Sequence, residues 1–507
     1  MNESLSQSAF RAVRWTTLNT FCQVGVHFLG LIILGRLLSP AAFGLMAMIM
    51  VVVEILNVFA RMGLTEAIIY KKDVTQEELS SLYFLNILVG LALFMLAYLS
   101  SDLIGRFYSE PAIVPLVKIV ASLFFITSTG IIFEIMLRKH LLFDTFSKIN
   151  MLTQFCTLVF MVLLAFWGAG VYALVLGLVF LYTMRSVLLI FIGIRNKWLP
   201  SPRFRPSEIT FYLKFSIYRV LGNSVNQLNS RVDQILIGAM LGPVVLGFYD
   251  VAFRIIYAPI HQMNPILTQV AFPLFSKIQD DTPRLKRNYL KYINLIISIN
   301  APLLAGITVL APILIPLLLG NKWNPAVPII QALCVYVFLR SIFNASGSLV
   351  FAKGKASWDF WGNMVILLFV PATTYFAIRL SNSVIVVAIG LSAGYFLYFF
   401  FHYLFYLRRL LGDCFIEYVK AICRPFILAS SMGIFTYLLS LSLRGWSNSI
   451  SAPVLILFGV GYYSVMTICY NPLFVNELEQ VLPGKMGKAV GRFRSLYASR
   501  KDLLKQF

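Results

Sequence analysis

FYLKFSIYRVLGNSVNQLNSRVDQILIGAMLGPVVLGFYDVAFRIIYAPIHQMNPILT, residues 211–268, holds two helix-length segments joined by a tight apolar turn from Leu241 to Gly247. Along the first segment Arg219, Asn223, Asn226, Ser230 and Asp233 recur at steps of four and three, and along the second Asp250, Arg254, Tyr257, His261, Asn264 and Thr268 do the same. Such spacing gathers each set on one face of an α-helix. Both segments are also long enough to span a bilayer, and hydrocarbon does not tolerate polar stripes facing lipid. The stripes must face each other, another helix or a water-filled cavity.

Working outward, the whole chain has this character. It has 507 residues, is 59% hydrophobic and only 12% charged, and has a mean hydropathy of +0.81. Soluble domains carry about a quarter charged residues, so a soluble globular protein is excluded. Only helices and closed barrels satisfy their backbone groups in lipid, and the long continuous apolar runs are helical in length, with no alternation of the barrel kind. The fold class is therefore all-α, a polytopic membrane protein with about fourteen spans. These fall near 12–35, 42–62, 82–104, 112–136, 149–168, 170–194, 211–240, 247–273, 292–318, 326–351, 358–378, 383–407, 422–442 and 451–473.

This map also accounts for the net charge of +21. Most of the Lys and Arg residues lie in the N-terminus, the alternate loops and the C-terminal tail, which share one side. The opposite loops hold only Arg36, Arg106, Lys322, Arg379 and Arg444. The positive-inside rule puts both termini in the cytoplasm, and no nucleic-acid partner is needed to explain the charge. The first span is too long for a signal-peptide core and stays as a helix. Cys22, Cys156, Cys334, Cys414, Cys423 and Cys469 form no CxxC pair and read as small hydrophobes rather than disulfide or metal residues.

The chain repeats itself. LGRLLSPAAFGL (34–45) and IGAMLGPVVLGF (237–248) align at an offset of 203, pairing Gly35 with Gly238, Leu38 with Leu241, Pro40 with Pro243 and Gly44 with Gly247. Each stretch is the turn between a polar-flecked helix and its successor. Six spans separate the two, an even number, so the halves share one orientation about an axis along the membrane normal. The organisation expected is a first lobe at 1–194, a basic linker at 195–210, a second lobe at 211–407, two further spans within 408–473 and a basic tail at 474–507. The linker, with Arg195, Lys197, Arg203, Arg205 and three prolines, reads as an extended cytoplasmic segment touching anionic headgroups. The tail interleaves Arg492, Arg494, Arg500 and Lys501 with Val490, Phe493, Leu496 and Tyr497, as an amphipathic helix on the inner leaflet does.

No catalytic constellation is present. The four histidines lie far apart, and HExxH, P-loop and GxSxG patterns are missing, so neither a metal nor a nucleotide cofactor is expected. What remains is charge within the spans: Lys118, Arg185, Arg219, Arg231, Arg254 and Arg340 against Glu54, Glu134, Asp233 and Asp250. Each such charge costs at least ~3 kcal/mol at the bilayer centre, so they have a purpose. Arg219 and Arg254, with Arg61, Asn223, Asn226 and His261, are the candidate lining of a cavity for an anionic group, since guanidinium binds phosphate bidentately and stays charged. Asp250, Glu54 and Asp233 are candidates for ion coupling or gating. The alternatives are structural: a neutralised Asp250 and Arg254 pair locking helices, separate neighbours for Asp233 and Arg231, and a helix–helix hydrogen bond for Glu54. The first lobe shows Thr16, Thr20, Gln23 and Glu54 where the second has Arg219, Asn223, Asn226 and Tyr257, so anion binding is expected on the second-lobe wall.

LLSPAAFG (37–44), DQILIGAMLGPVVLGFYDVAFR (233–254), NPILTQVAFPLFSKIQDD (264–281) and GNKWNPAVPIIQALCVYVFLRS (320–341) give the chain its family resemblance. It resembles Wzx-type flippases of the multidrug/oligosaccharidyl-lipid/polysaccharide exporter superfamily, and is most similar to the colanic-acid and teichuronic-acid exporter group. The resemblance implies flipping of undecaprenyl-diphosphate-linked oligosaccharide across a bacterial cytoplasmic membrane, by alternating access of two lobes around a cationic cavity and without ATP. It also implies a polysaccharide polymerase as a candidate partner. Two rival classes remain: a multidrug cation antiporter, which needs cavity acids and usually has twelve spans, and a polytopic lipid-sugar ligase or polymerase, which is expected to carry large outer loops.

Overall fold

A computed structural model describes residues 5–61, 68, 71, 74–201, 204–471 and 474, and does not extend to some side chains inside helices, among them those of Arg61, Arg219, Asn223 and His261. The expected tail helix beyond residue 474 lies outside the described residues. The described chain is helical, as expected. In order the helices are α1 (Leu5–Leu37), α2 (Pro40–Arg61), α3 (Gln76–Leu99), α4 (Ser101–Phe107), α5 (Ile113–Lys139), α6 (Phe143–Phe166), α7 (Val171–Arg195), α8 (Pro206–Lys277), α9 (Thr282–Leu319), α10 (Ala326–Asn344), α11 (Ser346–Ala352), α12 (Ala356–Ser381), α13 (Val384–His402), α14 (Phe415–Ser442) and α15 (Asn448–Tyr470). A π-helical turn, Tyr403–Leu407, carries α13 on to Leu411.

Thirteen helical segments among the described residues are long and apolar enough to cross a membrane. One of them lies in α8, whose 72 residues are broken at Gly242, where φ is 79° and ψ 178°. An unbroken helix of that length would run about 108 Å, against a hydrocarbon core of about 30 Å. The two arms of α8 are thus the expected seventh and eighth spans. The bend sits at the Leu-Gly-Pro of the repeat because only glycine readily adopts this backbone conformation and proline then opens the second arm.

By packing, the chain forms two compact units, Met1–Asp250 and Val251–Phe507. In the first, α5 is the central helix, contacted by α2, α3 and α7, while α6 packs on α1 and α7. Small residues let these backbones close up. A Cβ on Gly90 would lie 2.6 Å from Ser128, and one on Gly130 would lie 3.0 Å from Ser186. Asn86 Nδ2 donates to Ser128 O at 3.0 Å, and Ser186 Oγ donates to Ile126 O at 2.9 Å, tying α3 and α7 to α5. α6 shows the inside-out logic of a lipid-facing helix. Leu152, Phe155, Val159, Leu163 and Phe166 are exposed at helical spacing, while Thr153 and Thr157 are buried and return their hydroxyls to the backbone one turn back.

In the second unit α9 is central, with α10, α14 and α15 against it. The contacts are polar at chosen points: Asn294 Nδ2 donates to Ala421 O at 3.0 Å, Tyr463 donates to Ser298 O at 2.8 Å, and Asn471 Nδ2 donates to Ser298 Oγ at 2.9 Å. The last two spans are thereby fixed to α9.

The linker does more than run along the surface. Ser201 N donates to Ser80 Oγ at 2.8 Å, Arg205 N donates to Ser81 Oγ at 3.0 Å, and the Arg205 guanidinium pairs with Glu77 at 2.5 Å. Gln76 donates to Leu199 O, and Tyr212 donates to Glu78 at 3.0 Å. The linker backbone is strapped across the first turns of α3, where Thr75 and Glu78 form a capping box. Of the basic residues assigned to headgroups, Arg205 instead serves Glu77.

Candidate intramembrane site

Within the first unit α2 meets the first arm of α8 through Gln227 and Arg231, which lie off the stripe that runs from Arg219 to Asp233. Glu54 accepts from Arg231 through both nitrogens, Nε to Oε2 and Nη2 to Oε1, each at 2.6 Å. Gln227 Nε2 adds a bond to Oε2 at 2.7 Å, and Arg231 Nη1 turns back to Gln234 Oε1 at 2.9 Å. The Glu54 and Arg231 side chains are only 22% and 23% exposed, so the pair is a largely desolvated bidentate bridge of the strong, geometrically specific kind. Asp233, two residues on, faces elsewhere. It is buried and accepts from the Tyr249 hydroxyl at 2.5 Å and from Gln234 N at 2.9 Å.

A second charged cluster lies on α5, α6 and α7. Glu134 is shared by Arg138 at 2.9 Å and Arg185 at 2.8 Å, and both guanidinium groups lie over the Phe146 ring, at 4.6 and 5.6 Å from its centroid. It borders a cavity of about 50 Å³ lined also by Asn57, Asn86, Thr127 and Ser186. Asn86 Oδ1 and Arg185 Nε are buried there without a hydrogen-bond partner. That volume holds a few water molecules, and an acceptor and a donor left open suit water.

In the second unit Arg254 projects an exposed side chain from the second arm of α8. Nearby on the same arm Tyr257 lies under the Arg340 guanidinium, 5.6 Å from the ring centroid, and Arg340 also donates to Tyr336 at 3.1 Å. Of the other residues singled out in the sequence, Asn226 is exposed and Asp250 is buried. The side chains of Arg61, Arg219, Asn223 and His261 are outside those described. On α1, Thr20 returns its hydroxyl to Thr16 O and Gln23 binds Asn19. Sequence reasoning missed Gln227 and Tyr249 as partners of Glu54 and Asp233. For Gln227 the signal was polarity one turn before Arg231, and for Tyr249 a hydroxyl beside Asp250.

These features belong to a multi-pass, all-α membrane protein with charge pairs at Glu54–Arg231 and at Glu134 with Arg138 and Arg185. The family follows from comparison. A model of the polysaccharide biosynthesis protein family matches residues 33–328, and the chain belongs to that family. The teichuronic acid biosynthesis protein TuaB of Bacillus subtilis is 30% identical over 487 residues, 94% of this chain and 97% of that one. The lipopolysaccharide biosynthesis protein WzxC of Escherichia coli is 29% identical over 451 residues, 87% and 89% of the two chains. The motif resemblance to the Wzx-type group is borne out. Among solved structures the lipid II flippase MurJ, in an inward closed conformation, shares the fold with a TM-score of 0.67 at 15% identity, covering 91% of this chain and 99% of its own.

Proposed function

We propose that this protein is a transporter, not an enzyme, that flips undecaprenyl-diphosphate-linked oligosaccharide from the cytoplasmic to the outer leaflet of a bacterial cytoplasmic membrane by alternating access of its two repeats, 1–194 and 211–407. Both termini then lie in the cytoplasm, where the basic linker and tail meet anionic headgroups, and the product passes to a polysaccharide polymerase. Family membership supports the substrate class. The observation that carries the chemistry is that Arg254 is exposed within a span, on the same arm as the Arg340 stack over Tyr257. An arginine stays charged and binds phosphate bidentately, so an exposed one within a span matches a diphosphate. Arg219, Arg61, Asn223, Asn226 and His261 complete the proposed lining. Asp250, Glu54 and Asp233 are the proposed coupling or gating acids. For Glu54 that role requires release from Arg231.

The test is the double charge reversal Arg219→Glu with Arg254→Glu, expected to abolish polysaccharide export while the protein stays at its normal level in the membrane. Unchanged export at that level would sink the proposal.

A further inference from the structure

The two copies of the sequence repeat touch each other. A Cβ built on Gly44 would lie 1.7 Å from the carbonyl oxygen of Pro243 and 3.0 Å from Gly247 N. A Cβ on Gly247 would lie 2.0 Å from the carbonyl oxygen of Pro40 and 3.1 Å from Gly44 N. The contact is reciprocal: each glycine meets the proline that opens the other repeat's second helix, as the two faces of an isologous dimer interface do. Proline and glycine are four residues apart in both helices, hence on one face. With no side chain between them, backbone carbonyls rest against Cα hydrogens, a contact worth about 0.5–1 kcal/mol each. The seam is backbone on backbone at the two glycines, with the buried Met48 and Leu246 packed beside it near Gly238, so parting it uncovers those two side chains.

A lock lies further along the same two helices. Glu54 is fourteen residues from Pro40 on α2, roughly 21 Å, and Arg231 is eleven residues before Gly242 on α8, roughly 16 Å, at 1.5 Å per residue. Their bidentate bridge, with Gln227 and Gln234 added, is a second tie between the same two helices.

We propose that Pro40, Gly44, Pro243 and Gly247 form the outer closure of the transport path, and that Glu54 and Arg231 latch it, breaking each time the outer side opens. This rests on the flippase reading for the side to which the path opens. Glycine selects the seam at both repeats because any Cβ wedges it, and the latch sets how often it parts.

The full-length protein in spheroplasts tests this through labelling of Asn57→Cys by a membrane-impermeant maleimide, read as the increment over the parent chain with its six native cysteines. Asn57 is three residues beyond Glu54 on the same face, on the far side of the latch from the seam. The isosteric Glu54→Gln is expected to raise the labelling rate about three- to tenfold, as loss of a largely buried charge partner does. Gly44→Ala should raise it further, and the swap Glu54→Arg with Arg231→Glu should bring it back toward the parent rate. Polysaccharide export and membrane content are followed in parallel. Unchanged labelling in Glu54→Gln with normal membrane content overturns the closure, whatever export does. Labelling that changes as expected while export is indifferent to every variant overturns the flippase reading and leaves the closure standing.

Discussion

At Gly242, φ of 79° and ψ of 178° lie in a region that costs a residue with a Cβ about 1–3 kcal/mol. Gly242→Ala is expected to lower the thermal midpoint of the detergent-solubilised protein by several degrees, while Val244→Ala, at an exposed site two residues on, should leave it nearly unmoved. Equal midpoints for the two variants would show that the bend is not strained. Asp413 offers a pH test outside the spans. The Tyr403 hydroxyl donates to it at 2.6 Å and, with the Phe415 backbone N–H, holds its carboxyl below the ordinary value of 3.8. A depressed folded value means the contribution is complete above that ordinary value and is lost as pH falls through the folded one. Asp413→Asn should therefore flatten the drop in thermal midpoint below about pH 4, and an unaltered acid limb would refute the assignment.

Among the elements, the shared carboxylate on α5 is the sharpest case. Glu134 offsets one of the two positive charges of Arg138 and Arg185, so Glu134→Gln leaves both guanidinium groups beside Phe146 without their shared counter-ion. That single change should lower stability, by less than the ~3–5 kcal/mol of a fully buried pair because both arginines are partly exposed, whereas replacing all three by Leu or Met should recover most of the loss. Urea or thermal melts of the two variants decide it, and a triple variant as damaged as the single would argue that the cluster binds something the apolar version cannot. The linker strap gives another expectation. In Ser80→Ala with Ser81→Ala the amides of Ser201 and Arg205 lose these acceptors, and because both bonds are only partly buried the loss is below the ~1–3 kcal/mol of a fully buried unsatisfied group. Protease cleavage between α7 and α8 should accelerate in that variant, and an identical cleavage rate would mean the strap does not hold the linker.

For the molecule as a whole, the packing units and the sequence repeats divide the chain at different places. The first compact unit reaches Asp250 and so takes in the first arm of α8, although that arm opens the second copy of the repeat. The division has a physical reading under the proposed closure: α8 is held to α2 by the glycine seam and the Glu54 bridge, so it counts with the first repeat while these contacts are made. A conformation with the bridge broken is expected to release that arm, and hydrogen exchange in residues 224–241 should then be faster in Glu54→Gln than in the parent.

Local length, hydropathy and backbone chemistry are enough to read the helical class, the place of the spans, the turn at Gly242 and the repeat. Helical period alone places the polar stripes on single helix faces. Which side chains pair across helices follows from the packing alone. Glu54 finds Arg231 177 residues away, Glu134 takes Arg185 51 residues away, and Arg205 reaches Glu77 across 128. The period of one helix fixes the direction of a side chain relative to its neighbours in sequence, but not the rotation of that helix about its axis in the bundle. The same holds for the repeat: Pro40, Gly44, Pro243 and Gly247 were legible as matching turns, and only their packing brought the two copies face to face.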